Sequence, residues 1–169
     1  GKHIFSLAYG AKTTLDVLNG DRSFENYPSS YVMNPGIIAQ NHRMTAINAV
    51  LQIDLLGQCN AEFLEGRQYS GTGGQLDFVR GAYDSPDGKA ILVLYSTAKN
   101  DDISRIVSKF PEGTVVTTPR MDVHYVATEY GIVNLKGKST RARALALISI
   151  AHPKFREDLM RAAEDMSLM

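Results

Sequence analysis

The most informative part of the sequence for the fold is Ala90-Ile91-Leu92-Val93-Leu94-Tyr95-Ser96, which follows a turn at residues 84–88. A strand with one face in water alternates apolar and polar side chains, whereas this segment is apolar at consecutive positions. Such a pattern is typical of an interior strand in a parallel sheet. We therefore expect a strand here with helices covering both of its faces.

The segments on either side of this strand alternate between strand-like and helix-like patterns. Further strands are predicted at residues 3–9, 45–56, 114–118 and 123–126, with weaker strand patterns at residues 31–33 and 103–107. Helices are predicted at residues 11–18, 75–82, 140–151 and 153–166, with one helical turn at residues 37–42. Together they predict one α/β domain over residues 1–169, with an open, mostly parallel sheet and flanking helices.

The composition excludes several classes of protein. The 169 residues include 18 Lys and Arg against 18 Asp and Glu, so no basic surplus supports nucleic-acid binding through phosphates. The single cysteine, Cys59, excludes a disulfide framework and a cysteine-rich zinc site, and it fits a reducing, cytoplasmic location. No apolar run approaches the roughly 18–20 residues that cross a bilayer, so we expect no membrane association.

A glycine-rich segment, Ser70-Gly71-Thr72-Gly73-Gly74-Gln75, precedes a predicted helix. Glycines lack the side chains that would keep a ligand away from the backbone, and successive N–H groups can form a cradle for an anion. The helix N-terminus would add its dipole to that cradle. The segment lacks the Gly-Lys-Ser/Thr of a P-loop and the glycine spacing of a dinucleotide fingerprint. By itself it is also compatible with an ordinary tight turn.

Four segments together point to a family: Asn34–Asn41, Ile47–Gln58, Ser70–Phe78 and Asp122–Gly131. In this order they resemble the C-terminal domain of the acetyl-CoA hydrolase/transferase family, which includes 4-hydroxybutyrate and acetate CoA-transferases. The resemblance implies the open α/β fold of the CoA-transferases, with two related halves per subunit and a homodimer. It also implies an enzyme that moves CoA between an acyl-CoA and a small carboxylic acid through a glutamyl-CoA thioester, without a metal.

The same resemblance assigns roles to the glycine-rich segment. Gly74 is the residue whose backbone N–H holds the thioester oxyanion, and Gly71 and Gly73 let the loop approach the ligand. Ser70 lies where the loop of the family contacts CoA. An N–H donor in this position would stabilise the anionic tetrahedral species of acyl transfer.

Three residues outside the loop also match positions with roles in the family. Asn34 matches an asparagine that orients the catalytic glutamate and touches CoA, a task that suits an amide because it donates without neutralising a carboxylate. Lys99 matches a CoA-contacting lysine just after the central strand, where ligands of open α/β sheets bind. Leu51 is expected to line the CoA channel.

The nucleophilic glutamate of the family has no counterpart in this chain. Glu62, Glu65 and Glu129 all lie outside the motif of that glutamate, which in the family precedes the first strand seen here. We therefore expect the chain to be the second half of the enzyme and inactive alone, with the first half supplied either by a longer polypeptide or by a separate chain. The sequence starts directly with a strand, which also suggests a piece with an upstream partner, and a compact protein that starts with a strand is the alternative. We interpret His124 and Glu129 as structural and Cys59 as a small buried residue.

Three other functions remain open at this level. The complete enzyme could be an acyl-CoA hydrolase, in which water resolves the thioester. The chain could also be a non-catalytic module that binds CoA, or a half that serves only folding or dimerisation.

Overall fold

The computed structural model describes all 169 residues. The helices are α1 (Lys12–Gly20), α2 (Ser29–Val32), α3 (Pro35–Ile38), α4 (Gln75–Asp84), α5 (Thr140–Ser149) and α6 (Pro153–Asp165). The first seven strands are β1 (His3–Phe5), β2 (Phe24–Asn26), β3 (Thr45–Ala49), β4 (Gln52–Asp54), β5 (Cys59–Asn60), β6 (Phe63–Leu64) and β7 (Arg67–Gln68). The remaining strands are β8 (Lys89–Val93), β9 (Thr97–Ala98), β10 (Ile103–Ser104), β11 (Ile106–Val107), β12 (Tyr125–Thr128) and β13 (Gly131–Asn134).

The largest sheet has four strands in the order β13-β12-β8-β3. Strands β3, β8 and β12 are parallel to one another, and β13 is antiparallel to β12. The apolar segment that starts at Ala90 therefore forms the interior parallel strand β8, as predicted. Four smaller sheets of two or three strands surround this one, so the α/β class is confirmed.

Helices cover only one face of this sheet, which corrects the prediction that both faces of β8 are covered. Ala90 and Leu92 are 1% and 0% exposed on the covered face, whereas Tyr95 is 75% exposed on the other face. Ile47, in β3, is 65% exposed beside Ile91. We call this second surface the open sheet face. Periodicity could not distinguish the two faces because both are apolar.

The chain changes sheets within the segment predicted as one strand at residues 45–56. The Val50 N–H donates to the Val93 carbonyl of the main sheet, and the Leu51 N–H donates to the Asn60 carbonyl of the β11-β4-β5 sheet. Strand β3 ends at this point and β4 begins in the second sheet. A continuous apolar pattern does not reveal such a change, because both strands bury similar side chains.

Two further strand predictions are wrong. Residues 31–33 overlap helix α2, which the preceding Pro28 introduces as its N-cap. Residues 114–118 form no strand, because the N–H groups of Thr117 and Thr118 both donate to the carbonyl of Cys59 in an isolated bridge. The β-branched residues of this segment suggested a strand, but its backbone pairs with the single residue Cys59 and forms no ladder of paired residues.

Helix α4 packs against β3 and β8 and runs antiparallel to them. Its C-terminal end lies at the start of β3, since the Ser85 hydroxyl accepts from the Met44 N–H at 3.1 Å. Its N-terminal end, at Gly74 and Gln75, consequently points toward the edge where the parallel strands end. Ligands of open α/β sheets bind at that edge. No helix combines the length and apolar character needed to cross a membrane.

Candidate functional site

The glycine-rich loop leaves a continuous row of backbone donors free. No N–H group from Gly71 to Asp77 donates a hydrogen bond within the chain, whereas those of Tyr69 and Ser70 both donate to the Glu62 carbonyl. Free N–H groups are expected in the first turn of α4 and extend here through the preceding loop. These N–H groups are therefore available to an anion, as a cradle at the N-terminus of a helix requires.

Two glycines of this loop have specific steric reasons to be glycine. Gly73 adopts φ +55°, a left-handed conformation that costs other residues energy. A Cβ on Gly74 would lie 2.9 Å from both Cγ and Sδ of Met33. Gly71 has open space around it, and the Ser70 hydroxyl donates to the Gly71 carbonyl at 3.1 Å.

A buried amide that sequence reasoning missed fixes the start of α4. Gln75 is 8% exposed, and its Nε2 donates to Thr118 Oγ1 at 2.9 Å and to Cys59 Sγ at 3.7 Å. Cys59 is fully buried as predicted, and burial raises the pKa of its thiol to about 12. The glycine loop is thereby attached to the core immediately after its last glycine. The signal available in the sequence was a glutamine directly after the segment Gly71-Thr72-Gly73-Gly74.

Asn34 lies next to the glycine loop, because its neighbour Met33 contacts Gly74. Its Oδ1 caps α3 by accepting from the N–H groups of Gly36 at 2.9 Å and Ile37 at 3.4 Å. The side-chain NH₂ group donates to nothing in the chain and is exposed. Met33 thus places Asn34 one residue away from a contact with Gly74, and the amide donor of Asn34 is unused within the chain.

Leu51 and Lys99 line one cavity of about 560 Å³, which we call the lysine cavity. Lys99 adopts φ +52° and forms an exposed ion pair with Glu65, at 3.3 Å between Nζ and Oε1. The cavity also includes Arg105, which sequence reasoning missed. Neither Asn34 nor the glycine loop lines this cavity, so the predicted site residues form two groups. The β6-β7 hairpin directly precedes the glycine loop in the sequence, and residues 63–66 of the hairpin line the lysine cavity.

A second cavity of about 420 Å³, the apolar cavity, opens where β3, β8 and β12 end. Its walls include Ala49, Val93 and Ala127, which are register neighbours on the open sheet face. Arg105 and Glu129 supply its charged groups. Both cavities therefore share Arg105.

Glu129 is fixed by its hydrogen bonds, which supports the structural interpretation. Its carboxylate accepts from the Ser96 N–H at 2.9 Å and from Ser96 Oγ at 2.5 Å. Burial acts to raise the pKa of Glu129, but the bonds from Ser96 outweigh this effect and the pKa is lowered. The carboxylate is held in its charged form and its acceptor sites toward Ser96 are occupied.

His124 does not form an acid–base pair with Glu129. The two residues lie at opposite ends of β12, five positions apart, which corresponds to roughly 16 Å of extended chain. His124 is 9% exposed, and its ring contacts that of Tyr83 with centroids 5.0 Å apart. Burial lowers the pKa of His124, and the charges of Lys136 and Lys89 lower it further.

Comparisons with known proteins place these features in a family. Residues 10–163 match the family described as the acetyl-CoA hydrolase/transferase C-terminal domain. The chain belongs to this family. The resemblance inferred from the four sequence segments is therefore confirmed.

Three known proteins illustrate the similarity. The chain is 48% identical to the 4-hydroxybutyrate coenzyme A transferase of Clostridium kluyveri, covering 95% of this chain and 37% of that protein. It is 46% identical to the succinyl-CoA:cyclohexane-1-carboxylate CoA transferase of Geobacter metallireducens, covering 99% and 38%. It superposes on the crystal structure of RipA from Yersinia pestis with a TM-score of 0.94 and 48% identity, covering 100% and 38%.

The same comparisons show how much of each protein the chain covers. The chain spans somewhat less than two fifths of the length of each of the three proteins. The superposition on RipA, and on the crystal structure of a 4-hydroxybutyrate CoA-transferase from Porphyromonas gingivalis with a TM-score of 0.80 and 39% identity, confirms the CoA-transferase fold for this chain.

Proposed function

We propose that this chain is the C-terminal, CoA-binding part of a CoA transferase that moves CoA between an acyl-CoA and a small carboxylic acid. The observation that carries the proposal is the row of free N–H groups from Gly71 to Asp77, and the unused amide donor of Asn34 supports it. Its place at the carboxyl-terminal edge of the parallel strands supports a ligand site. The names of the relatives supply the substrate class.

The proposed chemistry requires a carboxylate from outside these 169 residues. A glutamate outside this chain attacks the acyl-CoA carbonyl and displaces the CoA thiolate, which gives a mixed anhydride. The thiolate then attacks the glutamyl carbonyl, so that the glutamyl-CoA thioester forms and the acyl group leaves as its carboxylate. The chain alone is inactive. Each transfer step passes through a tetrahedral carbon whose oxygen carries negative charge. The Gly74 N–H donates to that oxygen, and the Asn34 side chain donates to the glutamate.

The remaining site residues bind the rest of CoA. Ser70, Gly71 and Gly73 form the surface of the loop that CoA contacts, while Lys99 and Leu51 provide a charged and an apolar contact in the lysine cavity. No metal participates in the proposed reaction. The proposal includes a homodimer, which rests on the family resemblance, and a cytoplasmic location, which rests on the single cysteine.

The full-length polypeptide that contains this chain provides the first test. We expect ping-pong kinetics between an acyl-CoA and a carboxylic acid, and reduction of an enzyme-bound thioester by borohydride. Sequential kinetics without a trapped adduct would contradict the proposal. Release of free CoA at the same rate with and without an acceptor acid would indicate a hydrolase instead.

A matched pair of variants tests the Gly74 donor. Gly74→Ala and Gly74→Pro both add a Cβ near Met33, but only proline removes the N–H. We expect Gly74→Pro to lower kcat by about 100-fold to 1000-fold, the usual cost of one oxyanion donor, and Gly74→Ala to lower it much less. Equal kcat values for two variants with matching unfolding temperatures would exclude Gly74 as the donor.

A further inference from the structure

Arg105 occupies the boundary between the apolar cavity and the lysine cavity and lines both. Its backbone is held on two sides, because its N–H donates to the Ser96 carbonyl at 2.8 Å and its carbonyl accepts from the Ile53 N–H at 3.0 Å. These bonds attach it to the end of the main sheet and to the β11-β4-β5 sheet. The position of its side chain at the boundary is therefore set by the fold.

The guanidinium of Arg105 has no hydrogen-bond or ion-pair partner, although the residue is partly buried. The other two arginines that are not exposed both donate to carbonyl oxygens: Arg143 to that of Arg120 at 2.7 Å, and Arg156 to that of Ala151 at 2.9 Å. Arg105 is thus the only arginine in the chain that is at least partly buried and has no partner. Partial burial of an unpaired cation costs free energy that a bound anion would recover.

The carboxylates around Arg105 do not supply that anion. Glu129 lines the apolar cavity with Arg105, but its oxygens accept from Ser96. Glu65 lines the lysine cavity but pairs with Lys99. Glu112 also lines this cavity and forms no ion pair with Arg105 within 4 Å. The five N–H donors of the guanidinium are consequently available to a ligand.

The linings of the two cavities suit two different anionic groups of the proposed substrates, a carboxylate and a phosphate. The apolar cavity has aliphatic walls, including Val50, Val93 and Leu94, and one unpaired cation at its edge, which fits a small carboxylic acid. The lysine cavity combines Arg105 with Lys99, which fits a phosphate. Carboxylate and phosphate share the pair of anionic oxygens that a guanidinium binds in a bidentate manner.

We propose that Arg105 binds the anionic oxygens of a substrate, supplied either by the carboxylate of the acid or by a phosphate of CoA. This inference rests on the proposed transferase function and adds a binding residue to it. Because the fork of the guanidinium provides the bidentate contact, lysine is a poor replacement.

The test uses the full-length polypeptide with Arg105→Met, which keeps an apolar stem, and Arg105→Lys, which keeps the charge. The control is Arg141→Met, because Arg141 is exposed on α5 and forms no ion pair. We expect Arg105→Met to raise one KM by about 10-fold to 100-fold, the range for a hydrogen bond to a charged group. Arg105→Lys should raise the same KM less, while kcat stays within about twofold and the control is unchanged.

The substrate affected identifies the source of the anion. A higher KM for the carboxylic acid, with that for acyl-CoA unchanged, assigns the carboxylate. A higher KM for acyl-CoA, with no change for the corresponding acyl-pantetheine that lacks the phosphates, assigns a phosphate. Either result supports the role of Arg105 in binding.

The failure of this inference differs from the failure of the proposed function. If the wild-type polypeptide transfers no CoA, the transferase proposal itself is wrong. If the wild type is active and both Arg105 variants, folded by their unfolding temperatures, keep every KM, Arg105 does not bind substrate. A loss of kcat with unchanged KM values would likewise overturn the binding role.

Discussion

At the scale of single residues, Asn34 has one observed task, on its Oδ1, and one task that the proposed function assigns to its NH₂ group. The Oδ1 caps α3, and the NH₂ group donates to nothing in the chain. Ordinary capping needs only the oxygen, and Asp and Ser perform it equally well. The amide is therefore the part of Asn34 that capping leaves unexplained.

Two substitutions of Asn34 separate these tasks. Asn34→Asp keeps the cap but removes the donor and adds a charge, so we expect kcat of the full-length enzyme to fall at least 10-fold with an unchanged unfolding temperature. Asn34→Ser keeps a cap oxygen and one hydroxyl donor and should retain more activity. Steady-state kinetics and thermal unfolding measure both effects; full activity of Asn34→Asp would show that Asn34 only caps.

His124 predicts a dependence of stability on pH. Burial and the charges of Lys136 and Lys89 lower its pKa below the ordinary 6.5. Just below pH 6.5, the unfolded chain therefore binds a proton at this residue more readily than the folded chain does. Stability is therefore full above about pH 6.5 and declines as the pH falls from there toward the folded pKa. We expect His124→Phe to abolish the part of the decline that begins near pH 6.5, measured by denaturant unfolding between pH 7.5 and 5. An unchanged slope in this variant would assign the decline to other groups.

At the scale of elements, the contact between α3 and α4 depends on Gly81. A Cβ there would lie 2.5 Å from Cβ of Ile38 and 3.0 Å from the Pro35 carbonyl, closer than packed atoms approach. Since Asn34 is the N-cap of α3, this contact also helps to fix the backbone that carries the Asn34 side chain.

We expect Gly81→Ala to lower the free energy of unfolding by about 1–3 kcal/mol, the usual cost of overpacking. Gly20→Ala is the control, because a Cβ at Gly20 meets no atom within 4 Å at the end of α1. Denaturant titration of both variants measures the difference. A Gly81→Ala protein as stable as the control would mean that α3 moves freely relative to α4.

Several elements were predictable from the sequence because their signals are local. The apolar run at Ala90 identified β8, and the Ser139 cap and the proline at residue 153 marked the starts of α5 and α6. The switch from β3 to β4 was not predictable, because it depends on hydrogen bonds to Val93 and Asn60, which are distant in the sequence.

The candidate site shows the same division. The glycine loop was visible as three glycines, and the structure adds that its N–H groups are free. Arg105 was not identified from the sequence, because it is distinguished only by lacking a hydrogen-bond or ion-pair partner. A sequence does not show which contacts a side chain lacks. One charged residue inside the apolar segment 103–107 was the only available signal.

At the scale of the whole molecule, the sheet is covered by one layer of helices and is open on its other side. The core contains side chains from the covered face together with α4, α5 and α6. The open sheet face carries exposed Ile47, Tyr95 and Ile132, where sheets with one wet face usually present polar residues. The sequence showed that both faces are apolar and could not show what covers the second face.

Because Cys59 is buried, the rate at which its thiol reacts with a reagent reports how often the surrounding core opens. This thiol is the only one present, is fully buried and has a pKa of about 12, so a thiol-specific reagent reacts only when the core around it opens. In Gln75→Leu, which removes the bonds to Thr118 and Cys59, we expect faster alkylation at an unchanged midpoint of global unfolding. Mass spectrometry of the labelled protein over time would then measure how often the beginning of α4 detaches, and equal rates in both proteins would mean that the reagent enters only through complete unfolding.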